Sequence, residues 1–182
     1  KGTQVRLTIK REEVPEPIEF TITRDVIPLT IVKWRMEDKL NKIGYIELRQ
    51  FNENSDQQID KALTELESQG MQGLILDLRR NPGGLLEVAV DIASRFVPKG
   101  NVVIIQNKGG RQVALPVDPS KHNNHHMYPL VVLINEGTAS ASEIVAGAIQ
   151  DHKAGVLVGT DSFGKGLVQT IVNVDSCAVA IT

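Results

Sequence analysis

A single cysteine, Cys177, is all the thiol chemistry this 182-residue chain carries, which excludes an internal disulfide framework and a four-cysteine metal site. It has no excess of either charge. Its 20 Lys and Arg stand against 22 Asp and Glu, a net charge of −2, without the basic surplus of a nucleic-acid binder. No stretch approaches the ~18 consecutive apolar residues of a membrane helix, and the first residues lack the charged-then-apolar pattern of a secretory leader. What remains is 41% apolar and 23% charged, the make-up of an ordinary globular protein. A chain of this length buries roughly 70% of its unfolded surface without disulfides or metal. Stability therefore calls for no cofactor, and Cys177 is expected to fill core space.

Val5, Leu7 and Ile9 alternate with polar residues, as do Ile18, Phe20 and Ile22, with Val14-Pro15-Glu16-Pro17 as the turn between them. That pattern predicts a two-stranded antiparallel piece. From Ile43 the pattern changes to strands alternating with helices. Strands are expected at 43–48, 73–78, 101–106, 130–135 and 156–159, and helices at 55–69, 85–96 and 140–151. Gly70 closes the first helix, and Asn81-Pro82-Gly83-Gly84 breaks the chain after the apolar run Leu74-Ile75-Leu76. This order indicates an α/β layered fold with a mainly parallel sheet. Pro116 to Pro129 is polar and turn-rich and is expected to be a surface loop. Leu167 to Val174 alternates as a strand, and a second apolar run follows Asp175-Ser176. The chain reads as part of a longer one at both ends.

Gly137-Thr138-Ala139-Ser140-Ala141-Ser142-Glu143 follows an apolar strand and opens a helix. Small residues at such a turn expose a side chain beside amides that have no intrahelical acceptor, a setting that can stabilise an oxyanion. The plain alternative is a capping box, Ser140-x-x-Glu143, and the two roles are compatible. A serine hydroxyl needs a base to take its proton. His122, His125 and His126 crowd into the polar loop, and His152 lies just past the helix, none in a triad context. Lysine is the other partner that such chemistry uses, and Lys165, between Gly164 and Gly166, is the candidate. A lysine in a glycine turn is otherwise simply solvated. Gln169, four residues further in strand-like sequence, would share a face with Lys165 and could hold its amine. Gly159-x-x-x-x-Gly164-Lys165 matches most of a phosphate-binding loop. It lacks the Ser or Thr that must follow the lysine, and strand-like alternation stands where a helix is needed.

Together, the blocks LDLRRNPGGLL, INEGTASASEIVAGAIQDHK and GTDSFGKGLVQT resemble, in order, the signature blocks of carboxy-terminal processing, or tail-specific, serine peptidases, from about Ile43 to Thr182. The resemblance implies a layered ClpP/crotonase-like α/β core with flanking helices. It makes Ser140, rather than Thr138 or Ser142, the nucleophile and Lys165 its general base. It matches Gln169 to the lysine's support, the amides of Gly84 and Ala141 to the oxyanion hole, and Asp151 to an acidic position near the site. A side chain at Gly84 would be expected to crowd the scissile carbonyl.

The same resemblance makes residues 1–26 the closing strands of a PDZ domain, 27–42 a linker and 43–182 the catalytic core. Substrates would be proteins with exposed apolar C-termini, cut in an extracytoplasmic space, with no nucleic acid, metal or cofactor; a homo-oligomer is compatible with the reading. Two other function classes stand beside it: a silent peptide-binding or scaffolding module of the same fold, and an enzyme acting on acyl thioesters. Intact Ser140, Lys165 and Gln169 argue against the first, and the absence of evident adenine-binding features against the second.

Overall fold

A computed structural model of the chain describes residues 1–25, 30–122, 128–175 and 177–181. The chain forms two compact units, Lys1–Thr30 and Ile31–Thr182. In the first, β1 (Gln4–Ile9) and β2 (Ile18–Thr23) pair antiparallel, with Val5 opposite Ile22, Leu7 opposite Phe20 and Ile9 opposite Ile18. Directly opposed residues share a face. The six apolar side chains that predicted this hairpin therefore lie on one side of it.

The second unit is built on a five-stranded sheet of order β3 (Val32–Asp38), β4 (Ile43–Leu48), β5 (Gly73–Asp77), β8 (Leu130–Ile134), β9 (Val156–Gly159). β3 runs antiparallel to β4, and the other neighbours are parallel. Parallel neighbours need crossovers, and helices supply them: α1 (Ser55–Ser68) joins β4 to β5, α2 (Leu86–Phe96) starts the β5 to β8 connection, and α4 (Ala141–Asp151) joins β8 to β9. The ClpP/crotonase-like expectation of a mainly parallel sheet with flanking helices is met.

Alternation decides which sheet face the helices cover. In β4, Gly44, Ile46 and Leu48 are buried while Tyr45 and Glu47 point the other way. Ile46, Leu48, Leu74, Leu76 and Val132 meet Ile59, Leu63 and Leu66 of α1, Ile92 of α2, and Val145 and Ile149 of α4 in one apolar cluster. Burying each such side chain stabilises the fold by about 1.5–3 kcal/mol. The most buried charge is Arg95 of α2, whose side chain is 0% exposed; its Nη2 lies 2.6 Å from Asp56 and its Nε 2.6 Å from Asp60, both on α1.

Five expectations need correction. Residues 32–38, expected within a linker, form β3, because Val32, Trp34 and Met36 alternate onto the covered face. The strand at 101–106, β6, lies outside the main sheet and pairs antiparallel with β7 (Gln112–Pro116), which the sequence reading missed. The loop expected at 116–129 begins instead with that strand's last residue and a short helix, α3 (Pro119–His122); residues 123–127, with His125 and His126, lie outside the described residues. β10 spans Thr170–Val174 and among the described residues pairs only with β11 (Cys177–Ile181), and Leu167 to Gln169 are not strand. Cys177, expected in the core, is exposed on that hairpin.

Candidate active site

The site gathers at the C-terminal edge of the parallel strands. β5 ends at Asp77 and runs into Arg79-Arg80-Asn81-Pro82-Gly83-Gly84, while β8 ends at Ile134 and runs into the turn that carries Ser140. Asn81, fully buried, fastens the two turns. Its Nδ2 donates to Leu48 O at 2.8 Å, its Oδ1 accepts from Gly83 N–H at 2.9 Å, and its carbonyl accepts from Ala139 N–H and Ser142 Oγ, each at 3.0 Å.

Three hydroxyls stand on the β8–α4 turn, and their surroundings separate them. Thr138 and Ser142 are both 0% exposed and donate to backbone carbonyls, Thr138 to Leu78 O at 2.8 Å and Ser142 to Asn81 O. Among the described residues the Ser140 hydroxyl donates to nothing, and Ser140 is half-buried. Its backbone is also unlike an ordinary N-cap, which sits in the extended region. At φ 57° and ψ −118° it occupies a conformation that costs a non-glycine residue on the order of 1–3 kcal/mol. Capping alone gives no reason for that cost, whereas presenting Oγ on a sharp strand-to-helix turn does.

Glu143 explains how the turn is held. Ser140 and Glu143 form the capping box the sequence suggested, with Ser140 N–H donating to Glu143 Oε2 at 2.7 Å. The same oxygen accepts Lys165 N–H at 3.1 Å; Oε1 accepts Gly164 N–H at 2.6 Å and Ser162 Oγ at 2.8 Å. One carboxylate therefore ties the serine turn to the lysine loop. The Ser140 and Lys165 nitrogens lie no further apart than the sum of two hydrogen bonds. A fourth tie between the segments, Phe163 N–H to Thr138 O, is 2.9 Å. Burial alone would raise the Glu143 pKa, but the Ser162 hydroxyl and the three N–H donors outweigh it and hold the carboxyl below its usual range.

Lys165 is half-buried between two glycines with left-handed backbone, Gly164 at φ 77° and Gly166 at φ 55°. Among the described residues its amine makes no hydrogen bond or ion pair, with Ser140 Oγ or any other group. Gln169 is exposed, in irregular chain before β10. The shared strand face expected for it and Lys165 is therefore absent, because Gly166 turns the backbone between them. No helix follows Lys165, so the phosphate-loop reading fails on structure as it did on sequence. Asp151 is not brought to the site. It is the exposed last residue of α4, and ten residues of helix carry it about 15 Å along the axis from Ala141.

Both expected oxyanion amides are unengaged: among the described residues no hydrogen bond uses the N–H of Gly84 or of Ala141. The local pairing explains Gly84. Phe51 N–H donates to Gly83 O at 3.0 Å and Leu85 N–H to Phe51 O at 2.9 Å, an isolated parallel bridge that turns the polar groups of Gly84 away from Phe51. The reason expected for glycine at 84 needs correcting. A Cβ there would meet Phe51 O at 1.9 Å, so it is the protein's own backbone that demands glycine. Gly83 is the glycine packed on the Ser140 turn, where a Cβ would sit 2.8 Å from Ser140 Cβ and from Ala141 N.

The model of peptidase family S41 matches residues 42–182. The chain belongs to this family. Among curated relatives, a carboxyl-terminal-processing protease of Synechocystis sp. is 43% identical across the whole of this chain, and a carboxy-terminal processing protease of Bacillus subtilis is 39% identical over 96% of it. The chain spans 43% and 36%, respectively, of those two proteins. A solved structure, the photosystem II D1 C-terminal processing protease, matches all of this chain and 50% of its own with a TM-score of 0.75 at 34% identity. The family resemblance read from the three sequence blocks is borne out. Sequence reasoning missed the reach of Glu143 to the lysine loop and the fastening by Asn81. The S-x-x-E spacing held the first signal but gave no hint of a distant partner.

Proposed function

We propose that the chain is the catalytic core of a serine endopeptidase that cuts protein substrates near their C-terminal tails. Ser140 is the nucleophile and Lys165 the general base. The neutral lysine amine takes the Ser140 proton as Oγ attacks the scissile carbonyl carbon, and the carbonyl oxygen becomes an oxyanion held by the Gly84 and Ala141 amides. Collapse breaks the C–N bond, and the lysine ammonium gives its proton to the departing amine. The Lys165 amine, its proton given up, then takes a proton from water as that water attacks the acyl carbon; the ester C–O bond breaks, the proton passes to Ser140 Oγ, and the new carboxylate is released. Gln169 is assigned to the lysine's support by the family resemblance alone.

The observation that carries this reading is the bridging of the Ser140 and Lys165 backbones by the single Glu143 carboxylate, which joins two loops far apart in sequence at one strained serine. The role of Glu143 is to position the pair. Residues 1–26 are read as part of a PDZ domain, in keeping with a hairpin whose apolar residues share one face; Leu7, Phe20 and Ile22 are 40–48% exposed. Such domains bind peptides by strand addition. An extracytoplasmic location is part of the proposal. No described helix is long and apolar enough to cross a membrane.

The test is cleavage of an unstructured, apolar-tailed polypeptide by the full-length protein and by its Ser140→Ala and Lys165→Ala variants. Loss of at least about 10³-fold in kcat for both is expected. Undiminished cleavage by Lys165→Ala would refute the dyad, and a folded but inactive parent would favour a silent peptide-binding module.

A further inference from the structure

A cavity of about 450 Å³ opens at the same edge of the sheet, lined by Tyr45, Glu47, Arg49, Asp77, Arg79, Arg80 and Asn135. Most of its charges are matched. Arg79 grips Asp77 through Nε and Nη2 at 2.7–3.2 Å, and Tyr45 donates to the same carboxylate at 2.5 Å. Arg49 pairs with Glu47 at 2.8 Å. Arg80 is left over: among the described residues its guanidinium has no hydrogen bond and no ion pair. Glu136, the nearest acid along the chain from the Asn135 wall, faces Asn135 and Thr160 instead, each at 3.4 Å.

The backbone of Arg80 makes that vacancy informative. Its φ is 59°, a left-handed conformation that glycine and asparagine adopt readily and a long side chain does not. Its N–H is fixed by Asn135 Oδ1 at 2.8 Å, and its Cα packs so closely on Gly137 that a Cβ on that glycine would approach to 2.8 Å. An arginine here therefore costs backbone energy, and among the described residues its guanidinium returns no hydrogen bond or ion pair to the fold. It also lies three residues before Gly83, which touches the Ser140 turn, while Gly137 lies three residues before Ser140. The exposed Arg80 is thus held through its backbone by both of the turns that form the site.

We infer that this cavity is a substrate subsite for a carboxylate, with Arg80 as the specificity-determining cation that pairs with it. The inference rests on the peptidase reading and deepens it. Guanidinium and carboxylate match as a planar two-bond pair, and the cavity walls, already charge-neutral, leave Arg80 free to make it. The carboxylate is either the terminal group of the substrate or an acidic side chain near the cut.

Binding to the Ser140→Ala protein separates these. Three fluorescent decapeptides of one apolar, unstructured sequence are compared at low salt by anisotropy: one with a free C-terminus, one amidated, and one amidated with a single internal Glu. The amidated neutral peptide is expected to bind about tenfold more weakly than whichever carboxylate peptide fits. Arg80→Gln should shrink that ratio to below about twofold, Arg80→Lys should keep part of it, and 0.5 M salt should compress it in the parent. Equal binding of all three peptides, or a preference that survives Arg80→Gln, overturns the subsite and leaves the peptidase reading standing. No binding of any peptide, together with no cleavage by the unmutated protein, overturns both.

Discussion

Replacing Glu143 with Gln is the perturbation that bears most on how this site is held. Four donors converge on the carboxylate, two on each oxygen. An amide keeps one acceptor oxygen and turns an NH2 group toward two of the four. If these are Gly164 N–H and the Ser162 hydroxyl, the hydroxyl can reverse and accept, so at least one bond is lost and the rest lose their charge assistance. Hydrogen bonds to charged groups are worth about 1.5–3 kcal/mol, and water reaching a half-buried site replaces part of each. A net loss of ~2–4 kcal/mol follows, comparable to the strain of ~1–3 kcal/mol at Ser140. The turn is then expected to relax and the lysine loop to detach. A misplacement of about 1 Å costs on the order of 10²-fold in rate. Urea denaturation and kcat on the tailed polypeptide, measured on one preparation, should show a modest fall in stability and a fall in kcat of about 100-fold. A Gln variant within about threefold of the parent in kcat would refute the positioning role.

The pH dependence follows from the same carboxyl. Because its pKa is held below the ordinary 4.5, its contribution to stability is complete above that value and is lost as pH falls through the depressed one. The parent should lose stability and activity below about pH 4.5, and Glu143→Gln should lack that part of the acid dependence of stability, measured by thermal melts from pH 3 to 7. Arg95→Ala leaves Asp56 beside a buried void and should destabilise by about 3–5 kcal/mol in urea, far more than removal of an exposed ion pair such as that of Lys1 and Asp25. Gly84→Ala, which drives a Cβ into Phe51 O, should cost at least about 3 kcal/mol and inactivate, whereas a Cβ at Gly109, with nothing near it, should be tolerated; circular-dichroism melts decide.

Periodicity carried β4, α1, α2 and α4 because each buries one face, and a buried face prints its period on the chain, while β5, β8 and β9 were legible as short apolar runs. β3 was printed just as clearly in Val32, Trp34 and Met36; weighing residues 27–42 as a spacer hid it. The pairing of β6 with β7 was illegible, because a two-stranded exposed ribbon buries too little to impose a pattern. Of the run Leu167 to Val174 read as one strand, Thr170 to Val174 became β10, while Leu167 to Gln169 have no neighbouring strand to pair with among the described residues. At the site, Ser140 and Lys165 were singled out by residue type, turn context and resemblance. What the chain could not disclose was long-range: that Thr138 and Ser142 are used up by carbonyls, that Glu143 reaches the residues before Lys165, and that Ser140 sits in a strained backbone. Asp151 lies away from the site for a simpler reason, since a helix that starts next to Ser140 carries its last residue away from it.

The most direct test of the Ser140–Lys165 assignment is covalent trapping with a fluorophosphonate, followed by peptide mass mapping of the full-length protein. The account predicts one adduct, on Ser140, formed at least about 100-fold more slowly in Lys165→Ala. An adduct on Thr138 or Ser142, or labelling of Ser140 at an unchanged rate without Lys165, would contradict it.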